Sequence, residues 1–149
     1  MKNTMLEMTR YAALARQAVA EGVVLLKNEA VLPLAPGGRA ALFGYAQFHY
    51  YKSGTGSGGL VNVTHVPNLP EILGGDGGYR LDAEVQARYA AWLADHPYEM
   101  GTGWAQEPWF QPEMPLDEEF VRAAAQRADT AFIVIGRTAG EDQDNTNTP

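Results

Sequence analysis

The stretch TAFIVIG, residues 130–136, decides the fold class. It is an apolar run with β-branched residues that ends in a glycine, which is typical of a buried strand. It directly follows LDEEFVRAAAQRAD, residues 116–129, which predicts a helix because acidic residues fill the first turn, as the helix dipole favours. A helix that leads straight into an apolar strand predicts α/β layers.

The rest of the chain repeats this alternation. RAALFG, residues 39–44, predicts a second strand, and DAEVQARYAAWLADH, residues 82–96, predicts a helix with Asp82 as its N-cap. Four further predictions are a helix over 9–21 with Thr9 as N-cap and Gly22 as its stop, a buried strand at VVLLKN (23–28), an extended LVNV (60–63), and one or two helical turns at PNLPEIL (67–73).

These elements predict an α/β fold, a layered sandwich whose mostly parallel sheet is flanked by helices. Residues 95–115 hold proline, glycine and large aromatic side chains, which predicts an irregular insertion. Pro149 ends a polar loop with no closing element after the 130–136 strand, so we expect the sandwich to be incomplete at its C-terminal end.

Composition limits the function classes. A length of 149 residues predicts one domain, and a net charge of −7 without a basic cluster argues against nucleic acid and anionic membranes as partners. The absence of cysteine excludes disulfides, thiolate metal sites and a cysteine nucleophile. Arg10 and Arg16 interrupt the N-terminal apolar stretch, so it is not read as a signal peptide, and we expect a soluble, cytoplasmic protein.

A glycine-rich loop, YYKSGTGSGGLV at residues 50–61, contains G-x-G-x-x-G, the spacing of a dinucleotide-binding turn. The context argues against that function, because the preceding strand ends ten residues earlier and no helix start follows. Two interpretations remain open on the residues alone. One is a flexible linker, and the other is a sugar-binding loop that uses the neighbouring aromatic rings and small hydroxyl groups.

A second loop, RTAGEDQDN at residues 137–145, leaves the carboxyl end of the 130–136 strand, where open α/β sheets bind ligands. Repulsion among Glu141, Asp142 and Asp144 favours keeping one carboxyl protonated, as a general acid requires. An acidic, solvated surface loop is the plainer interpretation. A calcium loop is disfavoured, because the expected glycine and terminal glutamate are missing.

Histidines and aromatics give weaker signals. His49, His65 and His96 have no ligand-like spacing, so we predict no metal site and assign them to the surface or to hydrogen bonding. Trp104, Trp109 and Phe110 could form a sugar-stacking platform, but we favour a role in anchoring the insertion.

Four motifs in order resemble one family. They are EGVVLLKNEAVLPL, RAALFG, KSGTGSGG and FIVIGRTAGEDQD, and together they resemble the C-terminal α/β sandwich domain of glycoside hydrolase family 3, the family of bacterial β-glucosidases. The resemblance implies hydrolysis of terminal β-glycosidic bonds with retention. It also implies a partner, a TIM-like barrel domain of the same parent protein that carries the nucleophile, and it implies no cofactor.

The resemblance also assigns residues. Glu141 in GEDQD matches the family's general acid/base glutamate, and Asp144 matches the aspartate that orients this loop. Lys52, Thr55, Gly56 and Ser57 match the family's sugar-contacting glycine segment, and these residues together with Asp144 are expected to bind a β-glucoside or related oligosaccharide. A homo-oligomer is a further possible partner. A non-catalytic carbohydrate-binding or regulatory module of the same fold is the alternative, and a nucleotide-binding domain is a weaker one.

Overall fold

The computed structural model describes residues 8–49, 63, 65–100, 108 and 110–136. The chain divides into two compact units, residues 1–34 and residues 35–149. The second unit contains the sheet and the candidate site.

In the described part of the second unit, three strands form a parallel sheet. Strand β1 (Arg39–Phe43) lies in the centre, between β2 (Arg80–Leu81) and β3 (Thr130–Ile133). Residues 40–43 of β1 pair in register with residues 130–133 of β3, and Ala40 also pairs with Leu81. The α/β prediction with a parallel sheet is therefore confirmed, as are its RAALFG and TAFIVIG strands. The TAFIVIG strand is shorter than expected, and β2 was not predicted, because two residues are too few to show a periodicity.

Helices cover one face of this sheet. Helix α3 (Ala83–Asp95) and helix α4 (Glu118–Arg127) both pack on β1. The core on this face consists of Ala41, Phe43, Val85, Tyr89, Met114 and Ala124, each at most 8% exposed. Because strand side chains alternate between faces, Ala40 and Leu42, both fully buried, lie on the opposite face. All four positions of the AALF run are thus buried, as expected of a central parallel strand.

Aspartates begin both of these helices. The Asp82 carboxylate accepts hydrogen bonds from the backbone N–H groups of Glu84 and Val85, which confirms its predicted role as N-cap. Asp117 accepts from the N–H of Phe120 in the same way. Asp82 also pairs with Arg127 at the end of α4, with 2.7 Å between Nε and Oδ2, so it joins the start of one helix to the end of the other.

The predicted turns at PNLPEIL are confirmed as helix α2 (Leu69–Gly74). Asn68 caps it through the N–H of Glu71, while the Glu71 side chain accepts from the N–H of Asn68, which completes a capping box. Of the predicted irregular insertion, residue 95 ends α3, and the other described residues, 96–100, 108 and 110–115, contain neither helix nor strand. In the LVNV stretch only residue 63 is described.

The first unit contains helix α1 (Met8–Gly22), which confirms the predicted N-terminal helix and its end at Gly22. Thr9 lies inside the helix, so its assignment as N-cap is wrong. Among the described residues, none of the helices is both long and apolar enough to cross a bilayer.

The strand predicted at VVLLKN is wrong. Residues 23–28 form no strand, and their apolar side chains are exposed, Leu26 to 92%. The Asn28 side chain instead closes a local turn, in which its Oδ1 accepts from the N–H groups of Val31 and Leu32 and its Nδ2 donates to the Leu32 carbonyl. Such side-chain bonds compete with strand pairing, and a short apolar run alone cannot show which outcome is favoured.

Candidate functional site at the carboxyl edge of the sheet

The two strands that lead into the glycine-rich and acidic loops end side by side. Phe43 of β1 pairs with Ile133 of β3, and the N–H of Val134 donates to the Phe43 carbonyl at 2.9 Å. Because the strands are parallel, the chain leaves both of them at the same edge of the sheet. This carboxyl edge is where ligands bind in open α/β sheets.

Gly44, the first residue after β1, makes this close approach possible. Its φ of 101° lies in a region that only glycine adopts readily, and a Cβ at this position would lie 2.0 Å from the Val134 carbonyl oxygen. The N–H of Gly44 donates to the hydroxyl oxygen of Tyr89 in α3, at 2.7 Å. The two strand exits are therefore in backbone contact, and the Tyr89 hydroxyl of α3 bonds to the first of them.

A buried glutamine holds the turn that follows. Residues Tyr45–Gln47 form one 3₁₀ turn, and the fully buried Gln47 donates from Nε2 to the carbonyls of Leu42 and Gly44, both at 3.0 Å. Its Oε1 accepts from the Gln86 side chain of α3 at 3.2 Å. Because every polar atom of this side chain is engaged, the turn has a defined position.

Three rings and one carboxylate gather beside the turn. The rings of Tyr45, His49 and Tyr98 lie with centroids 4.8–6.2 Å apart and planes inclined by 24–28°. The Glu113 Oε2 accepts a hydrogen bond of 2.8 Å from the N–H of Tyr45. These four residues and Gly136 line a cavity of about 10 Å³, room for about one water molecule.

Burial affects the titration of two groups at this edge. His49 keeps an exposed edge, but its ring lies against the two tyrosines, and this partial burial lowers its pKa below the ordinary 6.5. Burial also raises the pKa of Tyr89 above 10.0, against the opposing effect of the Gly44 hydrogen bond and with the help of the Glu113 charge. The neutral forms of both side chains are thus favoured.

The site residues predicted from the sequence lie outside the described residues. This holds for the acid/base candidate and for all of the sugar-contacting candidates, namely Glu141, Asp144, Lys52, Thr55, Gly56 and Ser57. Their assignments stay predictions. What the structure describes is the pair of strand exits from which both segments begin, at His49 and at Gly136.

The other two histidines make contacts with residues close to them in the sequence. His65 bonds Glu71 at 3.1 Å, and His96 stacks on Trp92, with 3.5 Å between ring centroids. No group of three potential metal ligands occurs in the part of the chain that the structure describes. Of the three aromatics considered for sugar stacking, Trp104 and Trp109 lie outside the described residues and Phe110 is 53% exposed.

Sequence reasoning missed Glu113, Tyr98 and Gln47 as residues of this edge. Tyr45 and Glu113 are 68 positions apart, and no motif joins them. The local signal that could have pointed here was the glycine that ends RAALFG, which marks a place where backbone approaches closely.

The chain belongs to glycosyl hydrolase family 3. Residues 23–149 match the model of the glycosyl hydrolase family 3 C-terminal domain. This match confirms the resemblance drawn from the four sequence motifs.

Particular relatives are β-glucosidases. The chain is 48% identical over 141 residues to a β-glucosidase of Ruminococcus albus and 39% identical over 140 residues to β-glucosidase A of Butyrivibrio fibrisolvens. These alignments cover 95% and 91% of the chain, but only 15% and 16% of the two relatives.

Solved structures agree with this grouping. The chain matches a β-glucosidase from Paenibacillus barengoltzii with a TM-score of 0.86 at 44% identity, over 100% of the chain and 16% of that protein. It matches β-glucosidase 3B from Thermotoga neapolitana, solved in complex with glucose, with a TM-score of 0.81 at 30% identity, over 97% of the chain and 20% of that protein.

Proposed function

We propose that this chain forms one part of the active site of a retaining β-glucosidase and supplies its general acid/base, Glu141. Family membership and two relatives named as β-glucosidases support this reaction class. The chain spans about one sixth of their length, and we propose that a TIM-like barrel domain in the same polypeptide supplies the nucleophile. The cytoplasmic location expected from the sequence stays a prediction.

The observation that carries the proposal is the adjacency of the two strand exits. Glu141 follows Gly136 by five residues, so its Cα can lie at most about 18 Å from that of Gly136. Lys52 follows His49 by three residues, which limits its Cα to about 11 Å. Because Gly136 and His49 line one small cavity, these limits allow the acid/base and the sugar-contacting segment to meet over one sugar.

The proposed chemistry has two steps. In the first, the barrel carboxylate attacks the anomeric carbon while Glu141 donates its proton to the departing glycosidic oxygen. In the second, Glu141 takes a proton from water, whose oxygen attacks the anomeric carbon and displaces the enzyme carboxylate. Two inversions give net retention, and this geometry requires the two carboxyl groups to be about 5–5.5 Å apart.

The glycine-rich segment from Lys52 to Ser57 would bind the sugar ring whose glycosidic bond is cleaved. Gly56 has no side chain, so backbone N–H and C=O groups can approach a sugar ring closely. Lys52, Thr55 and Ser57 carry donors and acceptors suited to sugar hydroxyls. Asp144 would orient the loop that bears Glu141.

The test is the substitution Glu141→Ala in the complete polypeptide, with substrates that differ in leaving group. Hydrolysis of cellobiose, whose leaving group, glucose, is a poor one, should fall about 10²–10⁴-fold, because the departure of that glucose depends on proton donation. Hydrolysis of 2,4-dinitrophenyl β-glucoside should lose far less in its first step, and azide should partly restore turnover by replacing the water that Glu141 activates. Glu118→Ala removes an exposed carboxylate of α4 and serves as the control, with no expected change.

Unchanged cellobiose turnover in Glu141→Ala would show that the acid/base assignment is wrong. If glucose binding then still weakened in Ser57→Ala, the chain would be a carbohydrate-binding module rather than a catalytic part. Thermal stabilisation by NAD and not by glucose would instead favour the nucleotide-binding alternative.

A further inference from the structure

We infer that Glu113 is a positioning residue, which fixes the turn after β1 and thereby sets where the sugar-contacting segment begins. The inference rests on the proposed function and deepens it, since it adds a residue from the irregular insertion to the machinery that binds the sugar. Glu113 acts through Tyr45 and His49, and it need not touch the sugar itself.

The contact between Glu113 and Tyr45 is well placed for this role. A carboxylate oxygen accepts from the first backbone N–H after Gly44, at 2.8 Å, and such charge-assisted bonds are among the stronger ones. Gly44 is itself tied to Tyr89 and touches Val134. The bond therefore controls the direction in which the chain continues from a fixed point.

The insertion holds Glu113 firmly on both sides. Met114, 5% exposed, belongs to the core cluster, and Gln111, 6% exposed, exchanges two hydrogen bonds with the backbone of Glu99, at 2.9 and 3.0 Å. Glu113 itself is exposed. An exposed side chain between two buried anchors contributes little burial, so its main effect is on the geometry of the turn it holds.

The ring cluster transmits that geometry to the start of the segment. Tyr45, whose N–H Glu113 holds, lies beside the ring of His49, and His49 also stacks on Tyr98 of the same insertion. The next residues in the chain lead to Lys52 and Ser57. A shift of about 1 Å in a positioning group can cost about 10²-fold in rate, so a loosened turn should be measurable.

The experiment compares Glu113→Ala with Glu113→Gln in the complete polypeptide. In Glu113→Ala, the Kd for glucose and the KM for 2,4-dinitrophenyl β-glucoside should each rise about tenfold, because the turn keeps the Gln47 hydrogen bonds but loses the bond that holds its first N–H. Glu113→Gln keeps a side-chain oxygen that can accept from Tyr45, so it should restore most of the affinity. Glu118→Ala again serves as the control.

The leaving-group dependence separates this inference from the proposed function. Glu113→Ala should slow the hydrolysis of substrates with good and with poor leaving groups by the same factor. Glu141→Ala should slow the hydrolysis of substrates with poor leaving groups far more. An unchanged Kd for glucose in Glu113→Ala would overturn the inference and leave the Glu141 proposal standing, as would equal losses in the Ala and Gln variants. If the unaltered protein bound no glucose, the proposed function and this inference would fall together.

Discussion

Gly44 shows how one residue can set the geometry of a sheet edge. Its backbone conformation and the nearness of Val134 impose two separate requirements, a positive φ and the absence of a Cβ. Gly37 shares only the first requirement, since its φ is 85° and a Cβ added there would have no neighbouring atom within 4 Å. The two glycines therefore form a matched pair for experiment.

Gly44→Ala should destabilise the chain more than Gly37→Ala. The conformational cost is about 1–3 kcal/mol at each position, and Gly44→Ala adds a backbone clash that cannot relax by a side-chain rotation. Urea unfolding followed by circular dichroism measures both losses. Equal losses would mean that the strand exits can separate without cost.

The His49 ring offers a second test at the same scale. Because burial lowers its pKa, the folded protein takes up this proton at lower pH than the unfolded chain does, and stability should fall as the pH drops below about 6.5. An NMR titration of the His49 ring should give a midpoint below 6.5. Tyr98→Ala removes a ring that covers His49 and should move the midpoint back toward 6.5, whereas a midpoint above 6.5 in the unaltered chain would contradict the packing described.

At the scale of elements, the two capping aspartates differ in burial. The Asp82 side chain is 3% exposed and that of Asp117 is 55% exposed, although each caps a helix and pairs with an arginine. Burial raises the pKa of Asp82, but the Arg127 and backbone hydrogen bonds outweigh it, so the pKa lies below 3.8. The pKa of Asp117 is lowered first by the Phe120 N–H and then by Arg88.

Asp82→Ala should therefore cost more stability than Asp117→Ala. Loss of the cap costs about 0.5–2 kcal/mol, and at Asp82 the Arg127 guanidinium also loses its closest partner. Asp82→Asn keeps an acceptor for the N–H groups at the start of α3. Its loss of stability should therefore lie between the losses of the Asp82→Ala and Asp117→Ala variants. Since both carboxylates have lowered pKa values, their contribution is present above about pH 3.8 and fades as the pH falls below it, which urea unfolding at several pH values would measure. Equal losses at pH 7 would argue against the link between α3 and α4.

At the scale of the whole molecule, local patterns predicted the elements that local forces determine. The Asp82 cap, the helical turns at PNLPEIL and the RAALFG strand were all predicted from neighbouring residues. VVLLKN was misread because the strand state needs a partner, whereas the Asn28 turn needs only the next four residues.

The candidate site was less predictable for the same reason. The carboxyl edge follows from two parallel strands, and it was anticipated from TAFIVIG. The contacts that complete it, Glu113 to Tyr45 and Tyr98 to His49, join residues 68 and 49 positions apart. Only folding brings such residues together, so no spacing rule could reveal them.

The backbone contact between Gly44 and Val134 also sets a limit on how this domain can be engineered. The contact joins the two strands shortly before residues 49 and 136, so it marks the points after which segments from related proteins could be exchanged for those of this chain. Such exchanges would need to leave Gly44 and the Val134 carbonyl unchanged, because a Cβ at residue 44 would lie 2.0 Å from that oxygen.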